Sequence, residues 1–339
     1  MDPQARVAVD ALNQIGFLLE RMGEPPYRVK AFRNAAVTVT ELSPGELRRR
    51  LDEGSLEELS GIGKVTATAI AEAVAGGVPS YLEKLYETAG PLAHGGQELR
   101  RTLYGDLHVH SDWSDGGSPI EAMALAAREL GHDYMALTDH SPRLTVARGL
   151  TADRLREQLR VVADLNDKLA PFRILTGIEV DILEDGGLDQ DPALLDQLDI
   201  VVGSVHSKLR APREDMTRRM ITAIANPHLD VLGHCTGRIV VGRGRPESDF
   251  DHEVVFEACR RFGVAIEVNS RPERLDPPRR LLSLALEMGC DFSIDTDAHA
   301  PGQLDWQIYG CVRAEECGVP PERVINTKSA DDLLAWTGA

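Results

Sequence analysis

Leu107-His108-Val109-His110, Tyr134-Met135-Ala136-Leu137-Thr138-Asp139-His140 and Ile174-Leu175-Thr176-Gly177-Ile178-Glu179 are short apolar runs, each ending on a side chain that can ligate a metal. Three more share the pattern: Ile200-Val201-Val202-Gly203-Ser204-Val205-His206, Val231-Leu232-Gly233-His234, and Phe292-Ser293-Ile294-Asp295-Thr296-Asp297-Ala298-His299. With Ala265-Ile266-Glu267-Val268-Asn269 they make seven expected strands. Longer stretches between them, at 118–131, 151–170, 213–226, 250–263 and 277–289, read as helices, and Ser118-Pro119-Ile120-Glu121 has the spacing of a capping box with proline at the first helical position. Strand–helix alternation implies a parallel sheet. Polar residues gathered at the carboxyl ends of the strands point to an α/β fold, a β/α barrel with its site on that face. An open doubly wound sheet is the other arrangement of the same elements.

The residue types at those ends are a ligand set. Neutral imidazole and carboxylate together suit zinc, manganese or iron. His108 and His110 alternate on one strand, so both point to the same side and can share an ion. Asp297 and His299 repeat that spacing on the last strand, and Asp115 lies in a loop (Ser111 to Gly117) able to fold back over the ion. Glu179 can bridge two ions, because a carboxylate offers two oxygens and an imidazole one lone pair. Six of the ten histidines belong to this set, and the others (His94, His132, His228, His252) are expected at the surface.

The totals set bounds. A chain of 339 residues, 42% apolar and 27% charged, has enough material for one large core and a smaller one. No apolar stretch has the length of a membrane span, and Met1-Asp2-Pro3-Gln4 does not begin a signal peptide. The five cysteines are odd in number and scattered, which suits reduced thiols in a cytoplasmic protein. A net charge of −17 opposes indiscriminate phosphate binding by the whole surface. Residues 1–100 carry only about −3 of it, with 11 basic and 14 acidic side chains.

Residues 1–90 read as helices alone. Val7, Leu12, Ile15, Leu18 and Leu19 recur at helical spacing, Gly23-Glu24-Pro25-Pro26 interrupts, and a second helix runs through Val29, Phe32, Ala36 and Val39. Ser55-Leu56-Glu57-Glu58 has capping-box spacing and should open another. Residues 91–101, with Pro91 to Gln97 at their start, read as a linker, and 102–339 as the metal-binding barrel.

Taken as a set, Asp106-Leu107-His108-Val109-His110-Ser111, Ser114-Asp115-Gly116, Thr138-Asp139-His140-Ser141, Gly177-Ile178-Glu179, Val205-His206-Ser207, Gly233-His234 and Thr296-Asp297-Ala298-His299 resemble the polymerase-and-histidinol-phosphatase (PHP) family. The resemblance implies a distorted seven-stranded β/α barrel holding two to three divalent ions. It implies nine ligands: His108, His110, Asp115, His140, Glu179, His206, His234, Asp297 and His299. One site would use His108, His110, Glu179 and Asp297, a second Glu179, His206 and His234, and a third Asp115, His140 and His299. The implied activity is phosphoester hydrolysis by metal-activated water, with Glu179, Asp297 and His299 catalytic. Arg148, Arg238, Arg271 and Arg274 are expected phosphate clamps.

Leu59-Ser60-Gly61-Ile62-Gly63-Lys64, followed by Ala67 and Ile70, is similar to the helix-hairpin-helix signature, whose glycines allow backbone N–H groups to meet a DNA phosphate. Gly61, Gly63 and Lys64 are therefore expected DNA contacts, with Arg28, Lys30 and Arg33 a neighbouring basic run. Pro26 to Ala36 followed by Gly61-Ile62-Gly63 resembles the N-terminal eight-kilodalton domain of family X DNA polymerases. Ala69 stands where that domain's Schiff-base lysine would be, so lyase activity is not expected. The stretches 140–150, 233–238 and 269–276 resemble the PHP domain of bacterial family X polymerases, yet no palm-type nucleotide motif is present. The chain looks like such a polymerase without its polymerising core. The implied function is a monomeric 3′–5′ exonuclease or 3′ end-processing enzyme of DNA repair, with DNA and a separate polymerase as partners. The alternative is a small-molecule phosphatase of the histidinol-phosphatase type.

Overall fold

The computed structural model describes residues 1–338, which fall into two compact units, Met1–Leu92 and Ala93 onward. The first unit is helical: α1 (Pro3–Arg21), α2 (Pro26–Glu41), α3 (Glu46–Glu53), α4 (Lys64–Val74) and α5 (Ser80–Thr88). Asp2 caps α1 by accepting the Gln4 N–H at 3.1 Å, and Pro3 occupies the first turn, where no donor is needed. Leu12, Ile15, Leu18 and Leu19 are buried with Phe32, Ala36, Val39 and Ile70, whereas Val7 points outward. Ser55 opens no α-helix. Residues 56–58 form a single 3-10 turn with no side-chain cap, because the chain must reverse at Gly61, whose φ is +84°. Ala69 is buried in this core, so a lysine there would lack solvent access.

The second unit begins inside the expected linker. Residues Gln97–Arg100 form a helix, α6, whose Leu99 is buried, and Glu315 accepts the backbone N–H groups of Gly96 (2.7 Å) and Leu99 (3.2 Å). Seven strands follow: β1 (Gly105–Val109), β2 (Tyr134–Leu137), β3 (Arg173–Asp181), β4 (Ile200–Ser204), β5 (Val231–Leu232), β6 (Ala265–Asn269) and β7 (Phe292–Asp295). Each pairs in parallel with the next, in chain order. The helices between and after them are α7 (Ile120–Glu129), α8 (Ala152–Leu169), α9 (Pro192–Leu195), α10 (Arg213–Ile224), α11 (His252–Phe262), α12 (Arg279–Glu287), α13 (Gln307–Glu316) and α14 (Ala330–Thr337). α7 starts after Pro119 without a side-chain cap, so Ser118 and Glu121 build no capping box.

The sheet nearly closes on itself. β1 and β7 meet through one parallel bridge, Val109 to Ala298, with His110 N–H donating to Ala298 O at 2.8 Å. Below that bridge side chains replace the ladder: Leu107 N–H donates to Asp295 Oδ1 (2.9 Å) and Thr296 Oγ1 to Asp106 Oδ2 (2.5 Å). Burial and the adjacent Asp295 carboxylate push Asp106 above the usual carboxylate range. Leu175, Ile200, Val202, Val231 and Ala265 form one buried cluster with Ile325 and Leu333. The same faces of β3 and β6 then become polar at Glu179 and Asn269, because alternate strand residues share a side. The core thus plugs one end of the barrel and leaves polar side chains at the other.

His132 is buried rather than exposed, and Arg100 Nη2 donates to its Nε2. Burial and that guanidinium hold the imidazole down at about 3, against 6.5 when solvated. The unfolded chain binds this proton more readily, so the contribution is fully present above pH 6.5 and is lost as pH falls toward 3. Between pH 7 and 5 the protein should lose about 2 kcal/mol relative to His132→Asn, read by urea unfolding of both. Parallel pH profiles would show that the buried pair plays no such part.

Candidate metal centre

Eight of the nine expected ligands sit at or a few residues past the carboxyl end of a strand, because the strand's apolar residues are drawn into the core, and Asp115 lies on the loop after β1. Glu179 is the hub, 1% exposed at the end of β3. Its Oε1 lies 3.0 Å from His234 Nε2 and 3.3 Å from His206 Nε2. Its Oε2 lies 2.7 Å from His140 Nδ1, 3.5 Å from His108 Nε2 and 3.6 Å from His110 Nε2. His110 Nε2 is also 3.5 Å from Asp297 Oδ1. On the more open side, Asp115 Oδ1 lies 3.3 Å from His299 Nε2 and 3.5 Å from His140 Nε2. The structure therefore brings all nine side chains together. Three donor groups have ligating atoms within 4.8 Å of one another: His110, Asp115, His140 and His299; His108, His110 and Glu179; and His140, Glu179 and His206.

The donor set fits divalent ions. His108 Nε2, both nitrogens of His110 and His206, His234 Nδ1 and Glu179 Oε2 are buried without a hydrogen-bond partner. Leaving so many polar atoms unsatisfied is costly unless something else meets them. Two donors each about 2.1 Å from one tetrahedral ion lie about 3.4 Å apart, close to the 3.3–3.6 Å found for six of the pairs above. Burial, with His299 and His140 nearby, keeps His110 well below the usual histidine range, and burial beside Arg274 takes His234 down to about 4. Those imidazoles keep their lone pairs. Burial opposes ionisation of Glu179, but the surrounding His140, His206 and His108 outweigh it and hold the carboxylate ionised. His234 (φ 21°) and Asp297 (φ 53°) lie in the left-handed region, a strain typical of ligating and catalytic positions.

The arginines divide. Arg271 Nη1 donates to Asp297 O at 3.0 Å and lies 2.9 Å from His299 Nδ1, and Arg274 Nε donates to Asp297 Oδ2 at 3.2 Å. Both line the cavity over the cluster. Arg148 and Arg238 do not, contrary to expectation. Arg148 Nη2 donates to the carbonyls of Asp112 (2.9 Å) and Ser114, bracing the loop that carries Asp115. Arg238 donates to the carbonyls of Arg274 (3.1 Å) and Leu275, bracing the loop that carries Arg271. Unsatisfied carbonyls of tight loops have captured both guanidiniums.

Three acidic residues without an assigned role at the sequence level hold the ligands. Glu267 Oε1 lies 2.6 Å from His108 Nδ1, and its Oε2 accepts the His234 backbone N–H at 2.5 Å. Asp139 accepts the N–H (2.8 Å) and Oγ–H (2.6 Å) of Ser111, together with Ser114 Oγ (2.5 Å) and Gln158 Nε2 (2.6 Å), which fixes the loop before Asp115. Asp181 Oδ1 accepts the His206 N–H at 3.2 Å. Their available signal was position: each lies on a strand or strand end beside a ligand.

In the helical unit, Gly61, Gly63 and Lys64 are exposed at the start of α4, where Gly63 N–H meets Thr66 Oγ1 at 2.9 Å. Lys30 is exposed as well, whereas Arg28 pairs with Glu24 and donates to Tyr81 Oη at 2.7 Å. Arg33 is not available to DNA. It forms a two-point pair with Glu20 (2.8 and 3.0 Å), reaches Asn13 Oδ1 at 3.1 Å and packs over Gly16. Arg33→Ala should destabilise the helical unit by removing the two-point pair with buried Glu20, without changing the salt dependence of any DNA binding. Lys64→Ala should lower that salt slope by about 1 and leave stability unchanged. Denaturant titrations and binding across a salt series separate the two, and the opposite pattern would reverse the assignment.

The PHP domain model matches residues 106–271 and the helix-hairpin-helix domain model residues 4–79. The DNA polymerase/3′-5′ exonuclease PolX of Bacillus subtilis (strain 168) is 42% identical over 234 residues, 69% of this chain but only 41% of that protein. The chain thus spans well under half the length of that relative. The probable phosphatase TTE1963 of Caldanaerobacter subterraneus subsp. tengcongensis is 31% identical over 249 residues, 69% of this chain and 90% of that protein. The crystal structure of histidinol phosphate phosphatase from Lactococcus lactis, complexed with zinc, L-histidinol and phosphate, aligns with a TM-score of 0.47 at 18% identity, over 63% of this chain and 94% of that one. With the relatives' identity and coverage added to a seven-stranded barrel ending in this ligand cluster, the chain belongs to the PHP domain family.

Proposed function

We propose that this chain is a metal-dependent phosphoesterase that acts on DNA ends, removing 3′ nucleotides or 3′ blocking groups. The observation that carries the hydrolase reading is the convergence of buried imidazole nitrogens without hydrogen-bond partners on the buried carboxylate of Glu179. The helix-hairpin-helix match and the likeness to a polymerase-exonuclease support DNA as substrate.

His108, His110, Glu179 and Asp297, then His206 and His234 with Glu179, and Asp115, His140 and His299 would hold two or three ions such as zinc, manganese or iron. When bound, such ions supply Lewis-acid activation of water and of phosphoryl oxygens. The chain's own residues do the rest. His108 and His110 are fully buried, whereas Asp115, His206 and His299 keep some exposure, so a substrate would reach the cluster from their side. Arg271 and Arg274 stand on that side beside Asp297. Arg274 Nη1 is a buried donor without a partner, and a phosphoryl oxygen would satisfy it.

A small-molecule phosphatase is the second reading, supported by the relative that this chain covers almost fully, named a probable phosphatase. Purified protein with manganese, offered a 3′-labelled gapped duplex and histidinol phosphate side by side, separates the two. Release of label from the duplex is the expected result. Turnover of the small phosphate alone would overturn the DNA assignment. No described helix is long and apolar enough to cross a membrane.

A further inference from the structure

The cavity over the metal cluster, about 430 Å³, has walls unlike its floor. Leu144, Ile239 and Val241 line it alongside His140, His206, His234 and His299. Ile239 and Val241 belong to a hairpin after β5, in which Ile239 N–H donates to Arg245 O (3.0 Å) and Arg245 N–H to Ile239 O (2.9 Å). Arg245 Nε donates to Gly237 O at 2.5 Å, and Val240 N–H to Glu273 O at 2.7 Å. The hairpin is therefore anchored on both sides, and its apolar side chains are held up rather than folded into the core. Val240 and Val241 are 48% and 47% exposed. On the loop after β2, next to Leu144, Val146 is 89% exposed.

Cations flank these apolar tips. Arg143 adjoins Leu144 and Arg243 lies two residues beyond Val241; both are exposed, and neither side chain has a hydrogen-bond or ion-pair partner. The rim carboxylate Glu273 lies 3.6 Å from the Arg271 guanidinium, which offsets its charge. Apolar surface left open beside free guanidiniums suits a ligand with flat apolar faces joined by anionic links. A nucleic-acid strand has that chemistry: base faces cover apolar side chains and phosphates meet arginines. A small hydrophilic phosphate ester has no surface to cover Leu144, Ile239 and Val241. The cavity, about 430 Å³ with ligands buried beneath it, has the size of a small-ligand site, which suits the end of a strand better than its middle.

We propose that the 237–246 hairpin and the 142–149 loop form a rim that grips the terminal nucleotides of a nucleic-acid strand, bases against Leu144, Ile239 and Val241, and phosphates on Arg143 and Arg243. The proposal rests on the phosphoesterase reading and adds to it that the barrel itself selects strand ends. The test compares the full chain with Val241→Ser/Arg243→Ser, using manganese and a 3′-labelled oligonucleotide. The KM should rise about tenfold, with kcat within about twofold of the parent, and Arg243→Lys alone should retain most of the affinity. A second probe is a strand ending in a cleavage-resistant phosphorothioate, with 2-aminopurine either at its 3′ terminus or ten bases inward. Only the terminal fluorophore should respond to the parent protein, and the double variant should lose that response. Strand binding without cleavage by the parent would refute the DNA-end activity and leave the rim standing. Cleavage with unchanged KM and fluorescence in the variant would refute the rim and leave the activity standing. Equal loss of kcat toward the oligonucleotide and toward bis(4-nitrophenyl) phosphate would overturn it too, by marking damage to the metal cluster. Absence of any strand response in the parent would refute both.

Discussion

Glu179→Gln is expected to abolish phosphoester hydrolysis, by about 10³-fold or more, and to leave the purified protein depleted of divalent ions. The carboxylate faces five imidazoles through two oxygens, at 2.7 to 3.6 Å. Glutamine keeps the shape but removes the charge and turns one oxygen into an N–H₂ donor. Ions bridging the sites would lose their shared anionic ligand. Elemental analysis after gel filtration should show less metal per chain than in the parent, with far-UV circular dichroism unchanged. A variant that keeps both metal and activity would remove Glu179 from the centre of the account.

Glu267→Gln should weaken divalent-ion binding by about 10- to 100-fold while every ligand remains in place. Glu267 is fully buried, and its two oxygens serve different ligands: one faces the His108 ring and the other the His234 backbone N–H, with Asn269 Nδ2 at 3.2 Å. An amide has a single acceptor oxygen for donors on two sides. One donor would be stranded, or His108 would lose the tautomer that aims Nε2 at Glu179. Chelator competition measures the affinity directly, and cobalt substitution adds a spectroscopic check on ligand geometry. Unchanged affinity with an unchanged cobalt spectrum would reduce Glu267 to a packing residue.

The ligands were legible because they obey a rule of local geometry. A side chain that must reach a common point from parallel strands has to sit near a strand end, as His108 and His110 do with i, i+2 spacing. Asp297 and His299 share that spacing but lie past the end of β7, with Asp297 in the left-handed region, so strand alternation does not place them. Glu267 obeys the same rule but carries no such mark. A lone carboxylate within Ala265-Ile266-Glu267-Val268-Asn269 looks like any interruption of an apolar run. Arg33, Arg148, Arg238 and His132 were misread for a related reason. A guanidinium reaches far from its own Cα, so its partner is set by whichever carbonyl or carboxylate another segment brings near: Glu20 for Arg33, Ser114 for Arg148 and Leu275 for Arg238. His132 follows a helix by pattern, yet Arg100, from the stretch read as a linker, packs against it.

From its letters alone this chain determines two helical and β/α segments of distinct texture, seven strands in parallel, and the residue types that gather at their ends. Those follow from periodicity and spacing, which act over a few residues. Tertiary structure alone decided which arginines face the cavity, that Glu267 holds His108, and that a hairpin with exposed valines overhangs the site. Such contacts join positions far apart in the chain, and only burial and the need to satisfy every buried polar group select among them.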